Sequence, residues 1–205
     1  MTARTIRPGR QARGQAHIQR ILDSAAALIA QSGVDGLTMS AIGEAAGSAP
    51  GSLYQFFSNR EALIEALAER EAAIVEACVL SALESWNSRQ SKTPMSLMDA
   101  LLPPLFETYQ ARPAWGELLH ALARRGAPGD VEQALDASIQ MPLAAALSLL
   151  CPQASADRCM LAAAMLLNFG HAGLLAACAD TSGSVYGEVR RALNAYVTDW
   201  ARNEG

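Results

Sequence analysis

The chain predicts an all-α fold, and three observations carry that prediction. Apolar residues make up 51% of it but aromatics only 5%, so the core rests on Ala and Leu. Strands draw more on β-branched and aromatic side chains. Apolar positions recur at steps of three and four, first at Ile18, Leu22, Ala25 and Ile29. Gly and Pro separate such stretches, at Gly33, Gly47, Pro94, Gly126 to Gly129 and Pro152, as helix ends require. A length of 205 residues fits one compact unit or a small unit joined to a larger one.

Residues 1–14 hold Arg4, Arg7, Arg10 and Arg13 without hydrophobic periodicity, and read as a mobile basic arm or a solvated tail. No apolar run follows those arginines, so this stretch does not read as a secretory signal. A first helix is expected from about Gln15 to Ser32, its stripe widened by Ile21 and Leu28 and ended by Gly33. Leu37–Phe57 then reads as two short helices with a tight turn at Gly47. Thr38 suits the N-cap of the first, and Ile42, Ala45 and Ala46 give it an apolar side. Gly47 suits a left-handed helix end, and Pro50 the first turn of the second helix. With Leu53, Phe56 and Phe57 inward, Gly51, Ser52 and Gln55 face out. That is the helix-turn-helix pattern, and its small, polar outer face suits close approach to a DNA groove.

Ser58 and Glu61 have the spacing of a capping box that opens a long helix, from about Asn59 to Trp86. Leu63, Leu67, Ile74, Cys78 and Leu83 mark its buried side; Glu61, Glu65, Glu69 and Glu76 mark its wet side. Helices follow at Ser96–Gln110, bent at Pro103 and Pro104, and at Ala114–Arg125, ended by Gly126 to Gly129. Another spans Asp130–Leu150, bent or broken at Pro142 and closed by Cys151 and Pro152. In Ser155–Ala179 the strongly polar side chains after Cys159 are Asn168 and His171 alone. Its length is that of a membrane span, but Ala and Gly are weakly apolar and no second span exists. A helix apolar all round is otherwise one buried between partners. The last helix, about Ser184–Arg202, is amphipathic through Val185, Val189, Leu193, Tyr196, Val197 and Trp200. The two together predict a homodimer with a bundle of two helices from each subunit; the alternative is that they finish a monomeric core.

Charge and cysteines narrow the function. Net charge is −4, yet residues 1–60 hold six Arg and three acids, a formal +3 on a body of −7. A basic end on an acidic body is the asymmetry of a chain that meets phosphate at one end. Cys78, Cys151, Cys159 and Cys178 lack CxxC spacing and read as buried free thiols in a reducing cytoplasm. Cys151 with Cys159 as a metal or redox pair is the weaker alternative, since no His lies near them in sequence. No nucleophile elbow, phosphate-binding glycine loop or HExxH spacing occurs, so neither an enzyme nor a metal or cofactor site is expected.

The N-terminal sixty or so residues resemble the TetR family of bacterial transcriptional repressors. The resemblance lies in Ile21-Leu-Asp-Ser-Ala-Ala-Ala-Leu28, Gly33, Leu37-Thr38, Ile42-Gly-Glu-Ala-Ala-Gly47, Gly51-Ser-Leu-Tyr54, Phe57 and Asn59-Arg-Glu-Ala-Leu63. The rest of the chain matches in being helical and of the right length. Departures are Ala49 where the family often has a capping Ser or Thr, Arg60 for the usual Lys, and Gly43 for a common Ala. Without a hydroxyl at Ala49, the cap must come from Ser48, backbone or water.

The resemblance implies a DNA-binding domain at residues 1–57 and a helical effector-binding and dimerisation domain at residues 58–205. It implies a palindromic double-stranded operator bound by a homodimer through helices at about 155–179 and 184–202, in the cytoplasm and without a membrane. Thr38, Ser40, Tyr54, Asn59 and Arg60 are expected at phosphates, Gly51 at the closest backbone approach, Ser52 and Gln55 at base edges, and Pro50 among the DNA-binding residues. A small apolar or aromatic effector is expected among Trp86, Phe106, Tyr109, Trp115, His120, Met141, Met165 and Asn168. His171 is a further polar anchor candidate. Core packing is the competing role of each. Repression is the implied mode; activation without an effector and an all-helical protein-interaction module are the alternatives.

Overall fold

The computed structural model describes residues 8–123 and 130–203, and within them holds nine α-helices and no strand. They are α1 (Pro8–Ser32), α2 (Met39–Ala45), α3 (Pro50–Leu53), α4 (Arg60–Asn87), α5 (Pro94–Gln110), α6 (Pro113–Ala123), α7 (Asp130–Leu150), α8 (Ala156–Ala179) and α9 (Ser184–Asn203). The first helix starts seven residues before the expected Gln15. Proline favours a first helical turn, and the Arg, Gln and Ala that follow are good helix formers, so these residues extend α1 instead of forming an arm. Arg4 and Arg7, and the break expected at Gly126 to Gly129, lie outside the described residues.

Two further expectations are corrected. The N-cap of α4 is Asn59, not Ser58: its Oδ1 accepts the Ala62 N–H at 2.8 Å. Glu61 pairs with Arg60 at 3.3 Å instead of reaching back, so no box closes. A capping box does form at α5, where Thr93 and Ser96 exchange side chain-to-backbone bonds of 3.1 and 2.9 Å. Of the bend or break expected at Pro142, the break does not occur: it and the prolines of α5 lie inside continuous helices.

Three apolar clusters organise the packing. Ile21, Leu22, Ile29, Ile42, Leu53, Phe57, Leu63 and Leu67 join α1–α3 to the start of α4, and Ala114, Leu118 and Ala121 of α6 complete that core. Trp86, Leu97, Leu147, Ala163 and Val197 centre the bundle of α4, α5, α7, α8 and α9. Between them lie Ala72, Val75, Tyr109, Trp115, Leu119 and Leu174. Helix α6 thus has one face in the N-terminal core and another in the middle cluster.

On α4, Leu63, Leu67 and Leu83 are buried as expected, while Ile74 and Cys78 are half-buried and Val75, Val79 and Trp86 take the core positions. Cys151 and Cys159 are buried, but Cys178 is exposed near the end of α8, so not every thiol is a core residue.

Helix α8 is long and apolar enough to cross a membrane, but its inner side (Cys159, Ala162, Ala163, Leu166 and Leu174) is packed into the core. Its outer side leaves Leu161 51% and Phe169 54% exposed. Gly173 lets α9 approach, because a Cβ there would sit 2.8 Å from Val189 Cγ1. Asp180 opens α9: its carboxylate accepts the N–H groups of Val185 and Ser182, both at 2.9 Å, which holds its pKa down to about 2.

Candidate nucleic-acid interface and effector cavity

The turn between α2 and α3 is built as the sequence expects. Thr38 Oγ1 accepts the Ala41 N–H at 3.1 Å. Gly47 takes φ 60°, so Ser48 N–H reaches Gly43 O at 2.8 Å and Gly47 N–H reaches Glu44 O at 3.1 Å, closing the end of α2. Ser48 does not cap α3: its hydroxyl lies 3.4 Å from both His17 Nε2 and Ala46 O. Ala49 is extended and offers no side-chain acceptor, so the N-terminus of α3 is uncapped by side chains. Ala49→Ser is expected to stabilise the fold by about 0.5–1 kcal/mol. The check is the urea midpoint at constant slope; an unmoved or lowered midpoint would count against the missing cap.

Only four residues of α3 are α-helical, and i→i+3 bonds carry the chain on, from Gln55 N–H to Ser52 O and from Phe56 N–H to Leu53 O. Leu53 and Phe57 turn inward. Phe56 does not; with those two filling the inner side, its ring rests 5.4 Å from the His17 ring at the rim and is 38% exposed. Gly51, Tyr54 and Gln55 face solvent, and a Cβ added at Gly51 would meet nothing within 4 Å. That glycine therefore answers no packing need of the chain itself. The side chain of Pro50 lies outside the described residues. Thr38, Ser40 and Asn59 are exposed beside this face.

Two residues give the face its rigidity. His17, unremarked in the sequence, accepts from Arg20 through Nδ1 at 2.8 Å, so Nε2 carries the proton toward Ser52 Oγ, 3.3 Å away. Ser52 keeps its own O–H to donate outward. The only sequence signal for His17 is its place one turn before Ile21, flanking the apolar stripe. Arg60 donates from Nε to Leu37 O at 2.8 Å, from Nη2 to Val34 O, and from Nη1 to Glu61 at 3.3 Å. It thus fastens the α1–α2 loop to α4, with two of its five N–H groups left for another acceptor.

A second feature is a cavity among α4–α9, with about 800 Å³ of space outside protein atoms, part of it open to solvent. Centres of water-sized molecules find about 90 Å³ of it, less than the usual range of small-molecule sites, so an occupant is small or spreads the walls. The walls are mainly Val, Leu, Ile and Met, and the polar groups come from four helices: Tyr109, Trp115, Asp136 and His171. Tyr109 OH and His171 Nδ1 are hydrogen-bonded at 2.7 Å. Burial pushes the Tyr109 pKa up to about 12, against a smaller lowering by the Trp115 indole N–H nearby. That N–H lacks hydrogen-bond geometry to the phenol and is otherwise buried without a partner. Burial also raises the pKa of Asp136.

Of the expected effector residues, Tyr109 and Trp115 line the cavity, and so does His171. Trp86 is buried elsewhere and donates to Ser96 Oγ at 2.9 Å. Phe106 stacks on Tyr186 at 4.2 Å, and Met141 is 69% exposed. Met165 is half-buried outside the walls, and Asn168 is exposed and donates to Ala164 O of its own helix at 2.8 Å. The His120 side chain lies outside the described residues. Asp136 was not expected, because sequence does not show which acid of an amphipathic helix turns inward.

Cavity and DNA-facing unit meet at a buried acid. Glu71, 1% exposed, pairs with Arg70 at 2.9 Å and Arg112 at 2.8 Å, and Arg70 also reaches Asp23 of α1 at 2.6 Å. This chain of charges ties α1 and α4 to the α5–α6 junction, and the backbone N–H of Trp115 bonds back to Arg112 O at 2.9 Å.

Comparison with known proteins agrees with this architecture. Residues 21–67 match the family model of the bacterial regulatory proteins of the tetR family, and residues 93–197 match that of the tetracyclin repressor-like C-terminal domain. The fold is similar to that of a putative transcriptional regulator from Pseudomonas aeruginosa PAO1, with TM-score 0.74, 15% identity and 92% of each chain covered. A TetR-family transcriptional regulator from Streptomyces coelicolor gives TM-score 0.70 and 16% identity over 91% of this chain and 97% of that one. The transcriptional regulator FadR from Bacillus subtilis, solved in complex with stearoyl-CoA, gives 0.68 and 13% over 88% and 97%. No curated protein matches the chain in sequence.

Proposed function

The chain belongs to the TetR family of bacterial transcriptional regulators, and on that premise we propose that it is an effector-released repressor of a palindromic operator. The observation that carries this is α6, which shares one face with the DNA-facing core and the other with an apolar cavity. A molecule seated against Trp115 and Leu119 pushes on the same helix that holds Ala114, Leu118 and Ala121 in that core. Residues 1–57 act as the reading unit and residues 58–205 as the sensing and pairing unit.

In this reading each α3 enters one major groove. Gly51 lets the backbone close in, Pro50 starts the helix, and Ser52 and Gln55 address base edges. Thr38, Ser40, Tyr54, Asn59 and the spare N–H groups of Arg60 address phosphates, which position the helix without reading sequence. Asn59 keeps its amide NH₂ for this, since its Oδ1 is taken by the cap. Two subunits pair through α8 and α9, whose outer side exposes Leu161 and Phe169. This exposure supports a dimer over a monomeric core. Two recognition helices must stand about one DNA turn apart, roughly 34–36 Å, so a small tilt of α4 prevents joint docking. The effector is a small apolar or aromatic molecule, and the protein acts in the cytoplasm.

The test is a mobility shift on the DNA upstream of the protein's own gene. Specific retention is expected, with affinity falling steeply as salt rises because phosphate contacts release counterions. Retention independent of salt, or none on any upstream fragment, would overturn the proposal in favour of a protein-binding helical module.

A further inference from the structure

We propose that the effector is a lipophilic cation, an apolar or aromatic body carrying one amine or quaternary ammonium, with Asp136 of the cavity wall as its counter-ion. This rests on the reading of the cavity as the effector site and adds the charge of its occupant.

Among the described residues Asp136 is the one carboxylate in the wall of the cavity, and the residues next to it there are Leu135, Ile139 and Leu143. Among the described residues no Arg or Lys lines the cavity, its basic side chain is His171, hydrogen-bonded to Tyr109 OH, and no ion pair or hydrogen bond is made to the Asp136 carboxylate. The other acid buried in this region, Glu71, is treated differently: it holds two arginines, Arg70 and Arg112. The fold therefore neutralises one inward acid and leaves the other facing empty space. A half-buried carboxylate without a cation is costly to keep ionised, and burial raises its pKa accordingly. A ligand that brings a positive charge removes that cost on binding, whereas a carboxylate, phosphate or acyl-thioester anion adds like-charge repulsion in an apolar surrounding.

The aromatic groups point the same way. Tyr109 and Trp115 both line the cavity, and the Asp136 charge acts on the Tyr109 hydroxyl, so carboxylate and rings share one region. Aromatic faces beside a carboxylate are the surroundings in which an ammonium group is best held. The Trp115 indole N–H, buried and without a partner, is free to meet an acceptor or a π-face of the ligand.

The experiment uses three probes on one skeleton with the full-length protein: 4-phenylbutylamine, 4-phenylbutan-1-ol and 4-phenylbutyrate, titrated calorimetrically at pH 7 into wild type and Asp136→Asn. The amine is expected to bind wild type about tenfold or more tighter than the alcohol, and the butyrate more weakly than either. Asp136→Asn is expected to abolish the amine's advantage and to leave the alcohol unchanged, which also shows that the variant's cavity is intact. An alcohol or butyrate that binds wild type as tightly as the amine would overturn the cationic class and leave the cavity reading standing. Absence of binding by all three would overturn the cavity reading and this inference together.

Discussion

Glu71→Ala is expected to be among the most damaging substitutions in this chain, lowering the unfolding free energy by about 3 kcal/mol, the lower end for breaking a buried ion pair. The carboxylate is buried and pairs with two guanidinium groups, Arg70 at Oε1 and Arg112 at Oε2. Without it, Arg112 loses its acid partner and Arg70 keeps only Asp23 at 2.6 Å. The figure sits at the low end because Arg112 keeps 32% and Arg70 16% of its side chain in contact with water. Glu71→Gln retains the shape and one acceptor, and is expected to cost less than Ala. Equilibrium urea unfolding of the two variants beside wild type checks both statements. A loss below about 1 kcal/mol for Glu71→Ala would place the acid among surface charges, against its burial here. The double change Glu71→Leu with Arg112→Met is expected to be less damaging than Glu71→Ala, because it removes the stranded Arg112 charge along with the acid.

The second large effect falls on DNA binding. Tyr54→Ala combined with Gln55→Ala is expected to lower operator affinity by about 10²-fold or more, taking about 1–3 kcal/mol for a lost base contact at each of two half-sites. Stability is expected to stay within about 0.5 kcal/mol, since both side chains are exposed and make no hydrogen bond to other described residues. The pair of measurements matters: a mobility shift titration for affinity, thermal unfolding for stability. Unchanged affinity would remove this face from the interface. Loss of both would mean that Tyr54 supports the fold instead of the DNA contact.

What the sequence made legible is what depends on neighbours in the chain. Thr38, Gly47 and Pro50 act within four residues of where they stand, and the structure uses each as its chemistry suggests. The extents of α4 and α7–α9 followed from periodicity and from Gly and Pro punctuation. Competition between adjacent candidates was harder to read. Ser58 and Asn59 can each cap, and the side chain that meets the Ala62 N–H is decided by about one residue of chain direction. Phe56 and Phe57 are equally apolar, and only the room left by α1 decides which is covered. Least legible were roles set by distant partners. Glu71 stands in the same run as Glu65, Glu69 and Glu76, and nothing local marks it as the one that meets Arg112, forty-one residues on. The effector candidates were chosen for bulk, and bulk alone does not tell a core tryptophan such as Trp86 from a cavity tryptophan such as Trp115.

The insertion of α6 into the N-terminal core also has a consequence in time. Residues 21–67 supply most of that core, but Ala114, Leu118 and Ala121 close it from about fifty residues further along. At a synthesis rate of about 5–20 residues per second, that gap is roughly 3–10 s in which the nascent reading unit has left the ribosome with one side uncovered. During those seconds Ile21, Ile29 and Leu67 lack their final neighbours, so the newborn chain is most open to chaperones and most prone to aggregate before α6 arrives. A reading unit cut out and grafted onto another protein without α6 would remain in that unfinished state permanently.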